Sequence, residues 1–274
     1  MEQLYPNVLH PCWSNSRHHL WERIHLPVAG CCNTKCAFCD RNQASSCHTH
    51  SPGASRILMN PEEAVGRFLE EIEKRPNLRI AAVSGPGEPL ANETTFSTLH
   101  RIKSARPDIH FCLSTNGILL SEQIPRLLKL NVETVSISIS AINPRSAARI
   151  YEWAILDGNL LQGFEMGKRI IQKQLEGIER ANRVGIRVKA NTILIPPINR
   201  FEIGEIARNL ARVGASLQNI VPLVPNANMK HIPPPSPAEL TSARQTGSKY
   251  IKQFLHCHQC RSDVVGIPGQ DTIL

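Results

Sequence analysis

The chain has 274 residues, of which 41% are apolar and 20% charged, enough for a packed core and too few charges for an intrinsically disordered chain. No window approaches the roughly eighteen consecutive apolar residues of a membrane span. The opening Met1-Glu2-Gln3-Leu4-Tyr5-Pro6 has no basic stretch followed by an apolar core, so no secretory leader is expected and the cytoplasm is the expected location. Net charge is +8, from 31 Lys and Arg against 23 Asp and Glu. The basic residues, Arg126, Lys129, Lys168, Arg169, Lys173, Arg180 and Arg183 among them, are scattered through predicted helices, and aromatics reach only 5%. Solvated helix faces are expected, not a nucleic-acid stripe.

Apolar runs that read as strands alternate with helical patterns. In chain order the strands are predicted at 23–28, 79–84, 109–115, 132–140, 186–195 and 217–223, and the helices at 61–74, 93–104, 121–130, 163–184 and 200–213. Asn60-Pro61-Glu62-Glu63 combines an N-cap residue, proline at N1 and early acids, a sound helix opening. Six strands alternating with helices predict an α/β fold with a parallel sheet, open or curled into a barrel, whose chemistry lies at the carboxyl ends of the strands. Residues 1–22 form an irregular N-terminal arm holding Cys12, His18 and His19, and 23–223 the barrel core. From 224 to 274 a proline-rich connection, a last helix opening at Ser236-Pro237-Ala238-Glu239 and running toward Leu255, and His256-Cys257-His258-Gln259-Cys260 follow. Both ends read as covers over a single domain spanning 1–274.

Cysteine carries the chemistry. Nine are present, at 12, 31, 32, 36, 39, 47, 112, 257 and 260. A disulfide framework belongs to short secreted domains, so reduced thiolates at metal-ligand spacings are the better reading. Cys32-Asn33-Thr34-Lys35-Cys36-Ala37-Phe38-Cys39 follows the first strand directly. Three thiolates on a short loop can bind three corners of a 4Fe–4S cube and leave the fourth iron open. A structural zinc would need a fourth ligand, for which Cys31 is available, though it is out of register for this spacing. The excess of Arg and Lys would offset the negative charge of thiolate-bound clusters.

This spacing, with Phe38 before the last cysteine, resembles the radical S-adenosylmethionine (SAM) superfamily. The resemblance implies that the open iron chelates SAM and that an electron from the cluster cleaves it to a 5′-deoxyadenosyl radical. Ser84-Gly85-Pro86-Gly87-Glu88-Pro89 ends the second strand; its glycines allow close backbone approach, and Glu88 offers an acceptor for an ammonium group. It resembles the Gly-Gly-Glu-Pro motif that holds the SAM amino group, and Ser114-Thr115-Asn116-Gly117 occupies the matching place on the third strand. The resemblance implies a SAM site of Phe38, Gly87, Glu88, Asn116, Ser138 and Ile195.

Strand alternation adds to this without any family. Side chains two apart share a face, so Cys112, Ser114 and Asn116 point together. His25 alternates with Ile24 and Leu26 and is expected to face inward, as are Ser136, Ser138 and Ser140 opposite Val135, Ile137 and Ile139. Beyond Cys31, five cysteines remain: Cys12, Cys47, Cys112, Cys257 and Cys260. With His25 they make six donors, enough for two further cubes with open irons.

His10-Pro11-Cys12, Arg23-Ile24-His25, the cysteine run with Asp40-Arg41, Gly85-Pro86-Gly87-Glu88-Pro89-Leu90-Ala91-Asn92, Ser114-Thr115-Asn116-Gly117, Asn191-Thr192-Ile193-Leu194-Ile195-Pro196 and His256-Cys257-His258-Gln259-Cys260-Arg261 together resemble the NifB family of nitrogenase cofactor biosynthesis, in its short form without a NifX-like domain. The resemblance implies a partial (β/α)6 TIM-like barrel of the radical SAM type. It implies three 4Fe–4S clusters, one binding SAM and two auxiliary ones serving as substrates. These would be fused, with a SAM-derived carbide and a ninth sulfur, into the 8Fe–9S–C precursor NifB-co. By matching positions, Cys12, His25 and Cys112 would hold one auxiliary cluster, with His25 also catalytic. Cys257 and Cys260 would hold the other, with Cys47. The family usually places this last cysteine nearer to Cys39, in an Asp-Cys-Ala-Asn-Glu context; here the stretch reads Gln43-Ala44-Ser45-Ser46-Cys47-His48-Thr49-His50, and His48 or His50 could substitute. Implied partners are SAM, a low-potential donor such as ferredoxin or flavodoxin, and a product acceptor such as NifX or NifEN, with no nucleic acid or membrane. Two other readings stand beside this one: a radical SAM enzyme acting on a peptide or nucleotide, and a non-catalytic iron–sulfur carrier, which has no need of a SAM pocket.

Overall fold

A computed structural model of the chain describes residues 10–40 and 52–274. Its strands, in chain order, are β1 (Glu22–His25), β2 (Thr34–Cys36), β3 (Leu78–Val83), β4 (His110–Thr115), β5 (Thr134–Ser138), β6 (Tyr151–Leu156), β7 (Asn159–Leu161), β8 (Arg187–Leu194), β9 (Leu217–Pro222), β10 (Val264–Gly266) and β11 (Thr272–Ile273). The helices are α1 (Pro61–Lys74), α2 (Glu93–Ala105), α3 (Leu120–Lys129), α4 (Pro144–Ile150), α5 (Gly163–Arg183), α6 (Pro196–Asn199), α7 (Ile203–Arg212) and α8 (Pro237–Ser248). Among the described residues no helix is long and apolar enough to cross a membrane.

Six strands run parallel in the order β1-β3-β4-β5-β8-β9, and the sheet does not close on itself. It is a partial α/β barrel. The helices form for local reasons. At α1 the Asn60 side chain accepts from the amides of Glu62 and Glu63, and Glu63 returns a carboxylate to the Asn60 amide, a full capping box. Ala64, Phe68 and Ile72, spaced by four, turn one stripe of α1 into the core.

One face of the sheet packs on helices through Ile24, Leu26, Ala81, Val83, Leu113, Val135, Ile137, Val188 and Ala190, all in one apolar cluster. The alternate residues face the lumen, and register sets their heights. His25, Ala82, Cys112 and Thr134 lie in one layer across four strands. Ser114, Ser136 and Lys189 form the next, then Ser138, Asn191 and Asn219. The inward reading of His25, Cys112, Ser114, Ser136 and Ser138 follows from this alternation.

Several regions differ from the sequence reading, which placed no helix at α4 or α6. Residues 151–161 form a hairpin, β6 and β7, whose turn holds Asp157 at φ 50 and Gly158 at φ 79. It pairs with β2 to make a second, three-stranded sheet. The C-terminal cover is not wholly irregular: β10 pairs antiparallel with β1, so the otherwise open edge of β1 has its backbone groups satisfied. The last helix also stops at Ser248, short of Leu255. Beyond it the chain turns back so that Gln253 bridges to Gln218 and Phe254 is buried.

Candidate functional site

The cysteine loop lies between the two sheets and is fastened to both. On one side Gly87 donates its amide to Ala29 O at 2.6 Å and Glu88 to Cys31 O at 2.8 Å. The Asn92 side chain grips both ends of the Cys31 peptide, at 3.1 and 2.9 Å. Cys31 is thus used through its backbone. A Cβ on residue 87 would stand 2.1 Å from Cys31 O, so glycine is required for the two loops to approach. Gly87→Ala is expected to cost about 1–3 kcal/mol through this overlap, read by denaturant unfolding; an unchanged midpoint would show that the loops part freely. On the other side β2 carries Cys36 opposite Tyr151 of β6, and Ile155 donates to Asn33 O at 2.7 Å.

Glu88 is 2% exposed and joins the ends of β3 and β4. Its Oε1 accepts from the Leu90 amide at 3.0 Å and from Thr115 Oγ1 at 2.5 Å, and its Oε2 from the Asn116 amide at 2.6 Å. Burial pushes its carboxyl up to about 7, against the opposing pull of these donors. Asn116 Nδ2 donates to Asn33 Oδ1 at 2.7 Å and stands 4.0 Å from Cys32 Sγ. The buried Gln174 of α5 donates to the carbonyls of Asn116 and Ser138, both at 2.8 Å, and so sets the ends of β4 and β5.

Beside this loop the barrel encloses a cavity of about 560 Å³, in the range of ligand sites. Its wall brings together Cys39 of the loop with Cys12, His25, Cys112, Cys257 and Cys260. No disulfide joins any two of the eight described cysteines. Burial pushes Cys112 and Cys260 up to about 11, which favours the protonated thiol at neutral pH; any metal bound there would have to displace those protons. His25 Nδ1 lies 2.8 Å from the Arg261 carbonyl and 3.2 Å from Ser84 Oγ. A carbonyl only accepts, so Nδ1 carries the proton and Nε2 keeps its lone pair. Burial, then the Arg23 guanidinium, lowers its pKa to about 3 and keeps it neutral.

The donors are spread around the wall. His25 and Cys112 share a layer but sit two strands apart with the small Ala82 between them, about 10 Å at the backbone. Among the described residues no three His, Cys, Asp or Glu side chains gather to hold one metal ion. A polynuclear ligand, which offers one iron corner to each donor, fits this arrangement and its soft thiolates.

Residues 26–210 match the radical SAM superfamily. The FeMo cofactor biosynthesis protein NifB of Methanocaldococcus infernus is 38% identical over 265 residues, covering 97% of this chain and 87% of that protein. The protein of the same name from Klebsiella pneumoniae is 39% identical over 270 residues, covering 96% of this chain and 57% of that one. The chain belongs to the NifB family. Among solved structures, methylornithine synthase superposes with a TM-score of 0.56 at 10% identity, over 86% of this chain and 65% of that one, a likeness of fold.

In this NifB-family chain the expected SAM residues divide. Phe38 and Ser138 line the cavity, half-buried. Gly87 turns its bare Cα to the cysteine loop. Ile195 is fully buried in an apolar cluster, with its amide bonded to Asn199 Oδ1 at 2.8 Å; Ile193, two residues earlier, takes the wall. Cys47, His48 and His50 lie outside the described residues. Cys12 stands between the two expected donor sets, packed with Cys257 around Trp13, Leu217 and Phe254 and electrostatically coupled to both Cys112 and Cys260.

Two buried cations on the wall escaped the sequence reading. Arg23, fully buried, donates to Cys260 Sγ at 3.0 Å and to Gly266 O at 2.5 Å, and pairs with Asp271. Lys189, 4% exposed, donates to the Cys12 carbonyl at 3.1 Å. A lysine in the middle of an apolar strand, on the lumenal parity of Asn191 and Ile193, was the available signal.

Proposed function

We propose that this chain catalyses the cluster-building step of nitrogenase cofactor biosynthesis, fusing two 4Fe–4S clusters with a SAM-derived carbide and a ninth sulfur into an 8Fe–9S–C precursor. The observation that carries this reading is the single cavity in which Cys39 of the SAM-type loop shares a wall with Cys12, His25, Cys112, Cys257 and Cys260. A carrier would need the thiolates but not the loop stitched to Glu88 and Asn116.

Cys32, Cys36 and Cys39 would hold three corners of the resident cluster, leaving one iron for SAM. That cluster and SAM together supply a methyl group and a 5′-deoxyadenosyl radical when bound. The protein's part is placement. When ionised, Glu88 has three donors on about four acceptor positions, which leaves one for the SAM ammonium, and it fixes the Asn116 peptide. Gln174 holds Ser138, and Phe38 closes the side of the cavity beside Cys39. Ile195 would act through its backbone, since its side chain is inside the core. Cys12, His25 and Cys112 would seat one substrate cluster, and Cys257 and Cys260, with Cys47, the other. Arg23 and Lys189 offset the negative charge that such cargo brings into the cavity.

The reading calls for a low-potential electron donor such as ferredoxin or flavodoxin, and for an acceptor such as NifX or NifEN. It also calls for a reducing compartment, the cytoplasm, in keeping with described cysteines that form no disulfide with one another. The test is iron and sulfide content after anaerobic loading, with electron paramagnetic resonance before and after SAM. About twelve irons per chain, as three cubes, with one signal perturbed by SAM, is the expected result. About four irons would leave a simple radical SAM enzyme.

A further inference from the structure

His10 lies on the cavity wall and is 4% exposed. Its two ring nitrogens differ. Nδ1 is 3.0 Å from the amide nitrogen of Cys12. An amide can only donate, so Nδ1 is the acceptor and the proton of the neutral ring sits on Nε2. That Nε2–H is buried and has no hydrogen-bond partner among the described residues. Such orphaned donors are rare in folded chains, and a missing ligand atom is a common reason for one.

The surroundings say what kind of acceptor belongs there. The Cys12 peptide is gripped at both ends, its amide by His10 and its carbonyl by the Nζ of Lys189 at 3.1 Å. Lys189 gives this wall a buried cation and Arg23 a second, paired from behind with Asp271, and the only carboxylate among the wall's described lining residues is Asp40, beside Cys39 in the chain. An anionic acceptor is favoured over a neutral one. His10 also contrasts with His25. His25 spends its Nδ1–H on a carbonyl and turns a bare Nε2 to its surroundings, as an iron ligand must. His10 spends its Nδ1 lone pair on an amide and is left with an N–H, which cannot bind iron. The two imidazoles are therefore fixed in opposite tautomers, one fit to ligate and the other to donate.

We propose that His10 Nε2–H donates to a sulfur atom of the cluster held through Cys12, making His10 a positioning residue that orients and electronically tunes the cargo without ligating it. This rests on the cavity being a cluster site. A donor aimed at sulfur stabilises the more negative, reduced state, so its loss lowers the reduction potential.

The test compares the full-length wild type with His10→Asn and His10→Gln, loaded anaerobically without SAM and followed by redox titration and pulsed electron paramagnetic resonance in deuterated buffer. His10→Asn keeps an acceptor near the Cys12 amide but has nothing at the Nε2 place; His10→Gln can return an N–H there. Equal iron content is expected in all three. His10→Asn should shift one cluster to lower potential and lose one exchangeable deuteron coupling, and His10→Gln should recover most of both. The directly bound nitrogen signal should survive in each and vanish only in His25→Ala. An unchanged potential and deuteron coupling in His10→Asn would overturn the donor role, and so would loss of the bound nitrogen signal, which would make His10 a ligand. If His10→Asn does not fold, His10→Phe, which fills the same space without a donor, is read in the same way. A wild type that loads only about four irons overturns the cavity reading itself, before any variant is compared.

Discussion

Glu88→Ala is expected to abolish reductive SAM cleavage and to lower the unfolding free energy by roughly 3 kcal/mol or more. The carboxylate is buried and is the shared acceptor of the Leu90 amide, the Thr115 hydroxyl and the Asn116 amide. Alanine strands all three donors in a space too closed for full hydration. It also releases Asn116, whose side chain reaches Asn33 inside the cysteine loop. Formation of 5′-deoxyadenosine under reducing conditions measures the first effect; unimpaired cleavage would sink the SAM-pocket assignment. The pH dependence has a definite sign. Burial raises the carboxyl from an ordinary 4.5 to about 7 in the folded chain, which therefore favours the protonated acid. Stability from this group is fully present below about pH 4.5 and is lost as pH rises through 7. Compared with Glu88→Gln, which cannot titrate there, the wild type should lose more stability between pH 5 and pH 8 in urea unfolding. Parallel pH slopes would show that the carboxyl is already ionised across that range.

The barrel was legible because its signal is local. Strands β1, β4 and β5 alternate a buried apolar residue with a lumenal polar or thiol-bearing one, and Ile24-His25-Leu26 or Phe111-Cys112-Leu113 can be read without knowing the partners. The cysteine spacing was legible for the same reason. The β6–β7 hairpin was readable too, since Asp157-Gly158 is a strong two-residue turn signal, but the apolar run on its first strand merges with the end of α4. Other features lie in pairings that no local pattern carries. Arg23 meets Asp271 across 248 residues, and Lys189 meets Cys12 across 177. Gly87 looked like a residue for close approach to a ligand; its close approach is to the backbone of Cys31. The lumenal parity of the last long strand ends at Ile193, so Ile195 passes into the core where α6 begins.

His25→Ala is expected to leave SAM cleavage within about twofold of wild type while lowering precursor formation by about tenfold or more, the scale on which metal-ligand contacts matter. The residue is on β1, in the Cys112 layer, and none of its hydrogen-bond partners belongs to the cysteine loop. Its loss removes the one imidazole among the described residues of the wall whose Nε2 carries no proton. Retained precursor synthesis would refute the ligand role, and lost cleavage would mean that His25 serves the SAM site instead. The neutral state is built in, because burial and Arg23 bring its pKa down to about 3 from an ordinary 6.5. The unfolded chain therefore takes up a proton below pH 6.5 that the folded chain refuses until about 3, and stability falls as pH drops through that window. The imidazole proposed to ligate iron stays unprotonated across the whole working range. Cluster loading measured against pH should consequently show no step near 6.5 from this histidine, and a step there that disappears in His25→Ala would show that the imidazole titrates as an exposed one does.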